Sequence, residues 1–201
     1  HESVASTKEA AADVAEKIGF PVVLKILSPD IRHKTECGGV KIGLKNRQEV
    51  SDAFDQIMKS AHAYKPEARL EGVIVQEMIS PDSVEVILGI MNDPTFGPVV
   101  VFGSGGISVE LMKDSTLAIP PFTRQEAGEM INRTRGSKLL KGFRGKPAAD
   151  FDALCDALVG LSFLAVDFAD HIAALDINPL MVLPNGKGVR AVDVLMERTS
   201  K

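Results

Sequence analysis

The first residue of this chain that could do chemistry is a lysine inside an apolar segment. Lys25 lies within PVVLKIL, residues 21–27, a β-branched run that is typical of a buried strand. Packing does not explain a lysine in such a run, because an isolated buried ammonium costs several kcal/mol unless it is paired or neutralised. Lys25 therefore predicts an anionic partner.

The loop after this strand adds a histidine and a pair of glycines. His33 comes first, and Gly38 and Gly39 then permit positive φ and would let backbone N–H groups face an anion before the strand-like KIGL begins. A strand lysine, a loop histidine and paired glycines between two strands suggest a hairpin that handles phosphate. The alternative is a surface hairpin with an incidental lysine, and this stretch alone does not decide between the two.

Oxygen donors gather towards the other end of the chain. Residues 172–183 (IAALDINPLMVL) read as a strand that carries Asp176 and Asn178, and the chain returns through an Asn-Gly turn with Asp193 roughly opposite. Pro179 predicts that this strand lies at an edge or ends there. Two carboxylates and an amide on one hairpin suit Mg²⁺, which takes one or two carboxylates plus phosphate and water. A carboxylate hydrogen-bonded within the hairpin is the alternative.

The elements that must position these groups point to an α+β fold. Helical periodicity over residues 7–18 and 46–64 brackets the Lys25 hairpin, an order that favours an α+β lobe over a doubly wound sheet. Three strand-like segments follow at residues 70–79, 83–91 and 97–102, and their short turns predict an antiparallel meander. Glu85, in the second of them, either faces solvent on an edge or receives a hydroxyl or ammonium group inside a cleft.

The remaining segments predict a loop region between helices. Residues 103–106 (GSGG) lack the spacing of a dinucleotide fingerprint and read as a flexible turn. Thr123 predicts the cap of a helix that ends near residue 133, and the basic segment 137–147 reads as a solvated connecting loop. Residues 150–168 predict a strongly apolar, buried helix.

Composition restricts the functions open to the chain. With 201 residues, 45% hydrophobic content and a mean hydropathy of +0.08, it can bury a core, and no apolar run approaches the roughly 20 residues that span a bilayer. A net charge of −4, with charges mixed along the chain, argues against a nucleic-acid surface. Two cysteines without CxxC spacing predict reduced thiols, and an N-terminus without signal-peptide character points to the cytoplasm.

Five stretches give the chain a family resemblance that covers nearly its whole length. They are PVVLK, SPDIRHKTECGGV, VQEM followed by VEVILG, DPTFGPVVVFGSGGISVEL, and DINPL followed by AVDV. With them the chain resembles the ATP-grasp domain of the NDP-forming (ADP-forming) acyl-CoA synthetases, relatives of the succinyl-CoA synthetase β subunit. The resemblance implies an α+β ATP-grasp fold, in which two lobes of antiparallel sheets flanked by helices, roughly residues 1–79 and 80–201, grip ATP or ADP.

The resemblance also implies a role for each candidate residue. Lys25 would contact phosphate, and Glu85 would hold the ribose hydroxyls. Glu77 would sit at the hinge by the adenine, with its neighbouring backbone reading the base. His33 would carry a phosphoryl group, because imidazole is nucleophilic near neutral pH and its phosphoramidate transfers readily. The implied nucleotide ligands are Lys25, Gly38, Gly39, Val40, Glu77, Met78, Ile79 and Glu85, and the implied Mg²⁺ ligands are Asn178 and Asp193, supported by Asp176.

In this family a carboxylic acid becomes its CoA thioester through an acyl phosphate and a phosphohistidine, as a nucleoside triphosphate is made or consumed. The resemblance therefore implies a CoA-binding domain or subunit that carries the other phosphohistidine, and it is compatible with a homo-oligomer. The family's domain usually opens with a further helix and strand, so the chain is expected to be an N-terminally truncated piece of a larger polypeptide. The alternative is a regulatory nucleotide-binding module in a fused protein such as a protein acetyltransferase.

Overall fold

Two compact units make up the chain. The computed structural model describes residues 1–31, 33–105 and 114–199. Close contacts between backbone segments divide the chain into His1–Ile79, here called unit 1, and Ser80–Lys201, called unit 2. Each unit has one antiparallel sheet and one hydrophobic core.

Unit 1 packs two helices against one face of a four-stranded sheet, called sheet A, with strand order β1-β4-β2-β3. Thr7 and Asn46 begin the helices because their side-chain oxygens accept backbone N–H groups of the first turn. The elements of unit 1 are β1 (Glu2–Ala5), α1 (Lys8–Ile18), β2 (Val22–Leu27), β3 (Val40–Leu44), α2 (Arg47–Tyr64) and β4 (Gly72–Glu77).

The side chains of β2 alternate between the two faces of sheet A. Val22, Leu24 and Ile26 are fully buried in the core that includes α1 and α2. Because successive strand residues point to opposite faces, Val23, Lys25 and Leu27 lie on the face away from the helices, called the far face of sheet A. The helix face builds the core, and the far face carries the lysine.

Unit 2 has a six-stranded sheet, sheet B, with the path β10-β8-β5-β6-β7 and β9 paired to β8. Its described elements are β5 (Val84–Asp93), β6 (Gly97–Ser104), β7 (Ser115–Ala118), α3 (Arg124–Asn132), α4 (Ser137–Leu140), α5 (Phe151–Asp167), β8 (Ile172–Val182), β9 (Val189–Ala191) and β10 (Val194–Arg198). The helix α3 begins with a capping box between Thr123 and Glu126, as Thr123 predicted.

The central strands of sheet B also divide their side chains between two faces. Val86, Leu88 and Ile90 are buried in the core with residues of α3 and α5. By alternation Glu85 and Gly89 lie on the opposite face, called the far face of sheet B. Gly89 pairs with Asp176 of β8, so the backbone register brings Asp176 to the same face.

The predicted α+β class with antiparallel sheets is confirmed, but the predicted three-strand meander is wrong. The strand β4 pairs with β1 and β2 in sheet A, whereas β5 and β6 pair in sheet B. The short segment 80–83 thus ends one unit and begins the next, and a short connection does not by itself show that two strands pair. The strands β1 and β7 were not predicted, because four-residue edge strands carry too little pattern.

The predicted edge position of Pro179 is also wrong. It lies inside β8, which has β5 on one side and β9 and β10 on the other. Val86 pairs with Leu180 and Leu88 with Ile177, so β8 carries one extra residue at Asn178–Pro179. A bulge leaves one residue outside the ladder, and a residue without an N–H can occupy it in an interior strand.

Two segments that were predicted as loops contain regular secondary structure. Residues 137–147 include the short helix α4 as well as a turn, in which Lys146 donates to the Pro81 carbonyl at 2.7 Å. The GSGG segment is not a flexible turn where it is described: Gly103 belongs to β6 and the Gly105 N–H donates to the Glu85 carbonyl at 2.9 Å, while Gly106 lies outside the described residues.

Two further features are the state of the cysteines and the length of the helices. Cys37 and Cys155 are both buried and free. Within residues 1–31, 33–105 and 114–199, none of the helices combines the length and the apolar character that a bilayer crossing requires.

Candidate functional site

Lys25 lies in the middle of sheet A with strands on both sides. It pairs with Val40 of β3 and with Ile74 of β4, so these three side chains share the far face. Only 7% of Lys25 is exposed, which agrees with the buried strand predicted for it. The register brings together two of the predicted nucleotide ligands, Lys25 and Val40.

The amides of the glycine pair hydrogen-bond within their own loop. Gly38 has the positive φ of 68° that the pattern indicated. However, the N–H of Gly38 donates to the Thr35 carbonyl at 3.1 Å, and that of Gly39 donates to the Lys34 carbonyl at 2.8 Å. These amides close a tight turn within the loop, so in this conformation carbonyl groups occupy them. Their contact with an anion stays a prediction.

Gly39 is a glycine for a packing reason. A Cβ at this position would lie 2.5 Å from Cγ2 of Ile26 and 2.9 Å from the Lys34 carbonyl oxygen. Ile26 is fully buried, so it cannot easily move aside. The glycine thus allows the turn to pack against β2.

His33 lies on an exposed loop segment whose two ends are anchored in the core of unit 1. Ile31 and Cys37 flank the segment and are 4% and 5% exposed. Asp30 holds the start of the loop, since its carboxylate accepts the Arg69 N–H at 2.7 Å. His33 is therefore accessible to solvent on a segment with a fixed base.

Glu77 ends β4, and its backbone pairs with Val22, a helix-face residue. The far face at this end carries Gln76, which pairs with Val23 and donates its side-chain amide to the Glu2 carboxylate. The predicted contact of the backbone near Glu77 with adenine stays a prediction. The Met78 N–H donates to the Pro21 carbonyl at 3.3 Å, and Met78 and Ile79 are half-buried at the end of unit 1.

Glu85 is exposed on the far face of sheet B, near the start of β5. Its backbone is held on both sides, because it pairs with Met181 of β8 and accepts the Gly105 N–H. A Cβ on Gly105 would overlap the backbone of Glu85. The position of Glu85 is thus defined by neighbours on both strands.

The predicted metal ligands do come together in unit 2. The Asn178 N–H donates to the Asp193 carbonyl at 3.0 Å, and the Asn178 side chain hydrogen-bonds the Asp176 carboxylate. Asp193 lies in the break between β9 and β10 and is half-buried. The predicted placement of Asp193 opposite residues 177 and 178 is confirmed, since Val194 pairs with Ile177.

The charge environment of Asp176 fits a cation site. Burial raises the pKa of Asp176, the hydrogen bond from Asn178 opposes this effect, and the negative charge of Asp193 adds to it. A divalent cation would offset the repulsion between the two carboxylates. In the part of the chain that the structure describes, no cluster of three or more His, Cys, Asp or Glu side chains could hold a metal. Two carboxylates and an amide are nevertheless the kind of donor set with which Mg²⁺ retains water and phosphate.

Fold and site together identify the class. The ATP-grasp domain family matches residues 1–197, and the chain belongs to that family. This result confirms the ATP-grasp resemblance seen in the sequence motifs.

Similar proteins within this family are named as ADP-forming acetate–CoA ligases. The β subunit of acetate–CoA ligase [ADP-forming] I from Pyrococcus furiosus is 45% identical over 177 residues, which cover 88% of this chain and 75% of that subunit. Acetate–CoA ligase [ADP-forming] I from Archaeoglobus fulgidus is 41% identical over 186 residues, or 92% of this chain. The chain spans only 27% of the length of that relative, so it corresponds to one part of the larger ligase.

A solved relative has the same fold and contains nucleotide analogues. The dinucleotide forming acetyl-coenzyme A synthetase 1 of Ca. Korarchaeum cryptofilum, in complex with coenzyme A and Ca-AMPCP, superposes with a TM-score of 0.92 at 40% identity over 99% of this chain and 85% of that chain. The same protein with Mg-AMPPCP has a TM-score of 0.81 at 37% identity over 99% and 84%, and its phosphohistidine segment points towards the nucleotide binding site.

Proposed function

We propose that this chain is the nucleotide-binding, phosphoryl-transferring part of an ADP-forming acyl-CoA synthetase. One observation carries the proposal: Glu85 and Asp176 share the far face of sheet B, and Asn178 and Asp193 adjoin them. The relatives named as ADP-forming acetate–CoA ligases support the same activity. They also favour it over the regulatory module that the sequence left open as the alternative.

The far face of sheet A supplies positive charge. In this proposal the Lys25 ammonium binds nucleotide phosphate, and its position within a buried strand keeps competing water away. Val40 lies beside it in the register, and the backbone at Glu77–Ile79 binds the adenine. Contacts from Gly38 and Gly39 to phosphate would require their two internal hydrogen bonds to be exchanged, which makes them the least supported ligands of the set.

The far face of sheet B supplies oxygen atoms. Glu85 accepts the ribose hydroxyls, and Asn178, Asp193 and Asp176 hold Mg²⁺. The bound ion neutralises charge on the phosphate oxygens. The Asn178 side chain interacts with the Asp176 carboxylate, and the Asn178 N–H donates to the Asp193 carbonyl. The backbone thus keeps the three donors close to one another.

His33 is the phosphoryl carrier in this proposal. In the direction of ATP formation, the N–P bond of phosphorylated His33 breaks, and a β-phosphate oxygen of ADP forms the new P–O bond. The imidazole nitrogen keeps the bonding electron pair and takes up a proton. The exposed segment between Ile31 and Cys37 gives His33 access to a second phosphohistidine, which a CoA-binding domain or subunit would carry.

Incubation with γ-labelled ATP and Mg²⁺ tests this proposal. The chain should acquire label that is lost in acid and stable in base, as expected for a phosphohistidine. His33→Ala should abolish the label while retaining ADP binding in titration calorimetry. His62→Ala and His171→Ala are matched controls and should be labelled normally.

Two results would count against the proposal. Undiminished label in His33→Ala would remove the carrier role of His33. No measurable affinity of the folded chain for ADP with Mg²⁺ would remove the nucleotide site altogether.

A further inference from the structure

A buried carboxylate lies outside the set of residues that the proposed function uses. Asp114 is 9% exposed, and its two oxygens accept the backbone N–H groups of Arg135 and Gly136, each at 2.8 Å. Burial acts to raise the pKa of Asp114, but the hydrogen bonds from Ser104, Arg135 and Gly136 outweigh this and lower it. Asp114 therefore stays ionised and is firmly held.

Asp114 in turn holds the end of β6. The Ser104 hydroxyl donates to the Asp114 carboxylate, and the Ser104 N–H donates to the Asp114 carbonyl at 3.1 Å. A Cβ on Gly136 would overlap the Ser104 hydroxyl, so these segments are in close contact. Ser104 is thus fixed through its side chain and its backbone.

Gly105 connects the fixed position of Ser104 to β5. Gly105 follows Ser104 directly, and its N–H donates to the Glu85 carbonyl at 2.9 Å. Because a Cβ at Gly105 would overlap the Glu85 backbone, the two strands approach more closely here than any residue with a side chain would allow. A shift of Ser104 would therefore move the backbone of Glu85.

We propose that Asp114 and Ser104 are positioning residues that fix the Glu85 carboxylate for the ribose hydroxyls. This inference rests on the proposed function, in which Glu85 contacts the ribose. Neither residue touches nucleotide. They act through the Gly105–Glu85 hydrogen bond, so their loss lowers the preference for a ribose over a deoxyribose rather than nucleotide binding in general.

The test compares the affinities of the chain for ADP and 2′-deoxy-ADP, with Mg²⁺, in titration calorimetry. Glu85→Gln should lower the ADP preference, by about tenfold if a charged hydrogen bond is lost. Ser104→Ala and Asp114→Asn should each lower it by at least about threefold, and Ser104→Ala should have no further effect in the Glu85→Gln background. Partial unfolding does not change this ratio, because it reduces both apparent affinities by the same factor.

Ser137→Ala is the matched control. The Ser137 hydroxyl donates to the Thr134 carbonyl at 2.7 Å, Ser137 is 7% exposed, and it directly follows Gly136, whose N–H donates to Asp114. It should leave the ratio unchanged. If Glu85→Gln lowers the ADP preference but neither Ser104→Ala nor Asp114→Asn does, the positioning role is wrong while the proposed function stands. If Glu85→Gln leaves the preference unchanged, the ribose role of Glu85 fails and the positioning role is overturned with it.

Discussion

The two sheets carry their candidate residues in different ways. In unit 1, His33 and the glycine pair lie on the loop between β2 and β3, while Lys25, Val40 and Glu77 lie within strands. In unit 2, Glu85, Asp176 and Asn178 all lie within strands of sheet B. Strand register fixes the second set, whereas loop hydrogen bonds shape the first. In the proposed function, most of the metal donors would thus be placed by strand register, while the phosphate carrier would lie on a loop.

A glycine substitution in the loop should show the largest effect. Gly39→Ala places a methyl group 2.5 Å from the buried Ile26 side chain, so we expect the free energy of unfolding to fall by about 3 kcal/mol. Denaturant titration measures this change.

The matched control is a glycine with room for a methyl group. Gly160 lies exposed in α5, and nothing would come within 4 Å of an added Cβ. Gly160→Ala should stabilise the chain by about 0.5–1 kcal/mol, because alanine is the better helix former. Equal effects of the two substitutions would show that the loop is not packed as described.

The candidate metal ligands of unit 2 should respond through metal binding rather than through stability. Asp193→Asn should lower the apparent affinity for Mg²⁺ by about 100-fold. Titrating Mg²⁺ at a fixed ADP concentration measures this affinity. Asp167→Asn, an exposed carboxylate at the end of α5, is the control and should have no effect. If Asp193→Asn leaves the Mg²⁺ titration unchanged, Asp193 is not a metal ligand.

Acidification should weaken the same site. The pKa of Asp176 is raised, mainly by burial, and a carboxylate must be ionised to bind a cation. Mg²⁺-dependent ADP binding should therefore begin to decline at a higher pH than the titration of an ordinary aspartate would predict. Calorimetry at several pH values measures this, and a Mg²⁺ affinity that falls only at the pH where an ordinary aspartate titrates would contradict the assignment of Asp176.

Asp114 should contribute stability that acid removes. Its pKa is lowered in the folded chain, so its contribution is present above the unfolded pKa of about 4 and is lost as the pH falls through the folded value. Asp114→Asn should lower the free energy of unfolding by about 2 kcal/mol at neutral pH, and by progressively less in acid. The same loss at pH 7 and at about pH 3 would show that its charge is not involved.

The smallest effect concerns the two cysteines, one in each unit. Burial raises the pKa of Cys155, which lies in the core beside α3, so its thiol should react slowly with iodoacetamide. Cys37 lies at the base of the His33 loop and donates to the Lys34 carbonyl at 3.1 Å, so opening of the loop should expose it first. Mass spectrometry should find faster alkylation at Cys37, and equal rates would argue against a mobile loop.

Much of the arrangement could be predicted where a single local pattern determines it. The Asn-Gly turn after β8 gave the pairing that places Asp193 beside Asn178, and the apolar run around Lys25 gave a buried strand. The motif resemblance gave the family, which local patterns alone do not specify.

The other predictions failed or stay open where the local pattern does not decide between two arrangements. Whether β4 joins β5 or β2 depends on which sheet completes its core, and the connecting segment contains no information about that choice. The amides of Gly38 and Gly39 could serve an anion or nearby carbonyls, and the sequence pattern is the same in both cases.

The bulge at Asn178–Pro179 lets β8 keep its apolar side chains on the core side and its polar side chains on the far face. Ile177 and Leu180 both pack against the core of unit 2, yet three positions separate them where simple alternation allows two. If the same sequence formed a regular strand, either Leu180 and Val182 would turn towards the far face or Asp176 and Asn178 would turn into the core. Deleting Pro179 would remove the bulge and leave both groups on their present faces, so the extra residue alters the backbone beside Asn178 and not the packing of β8.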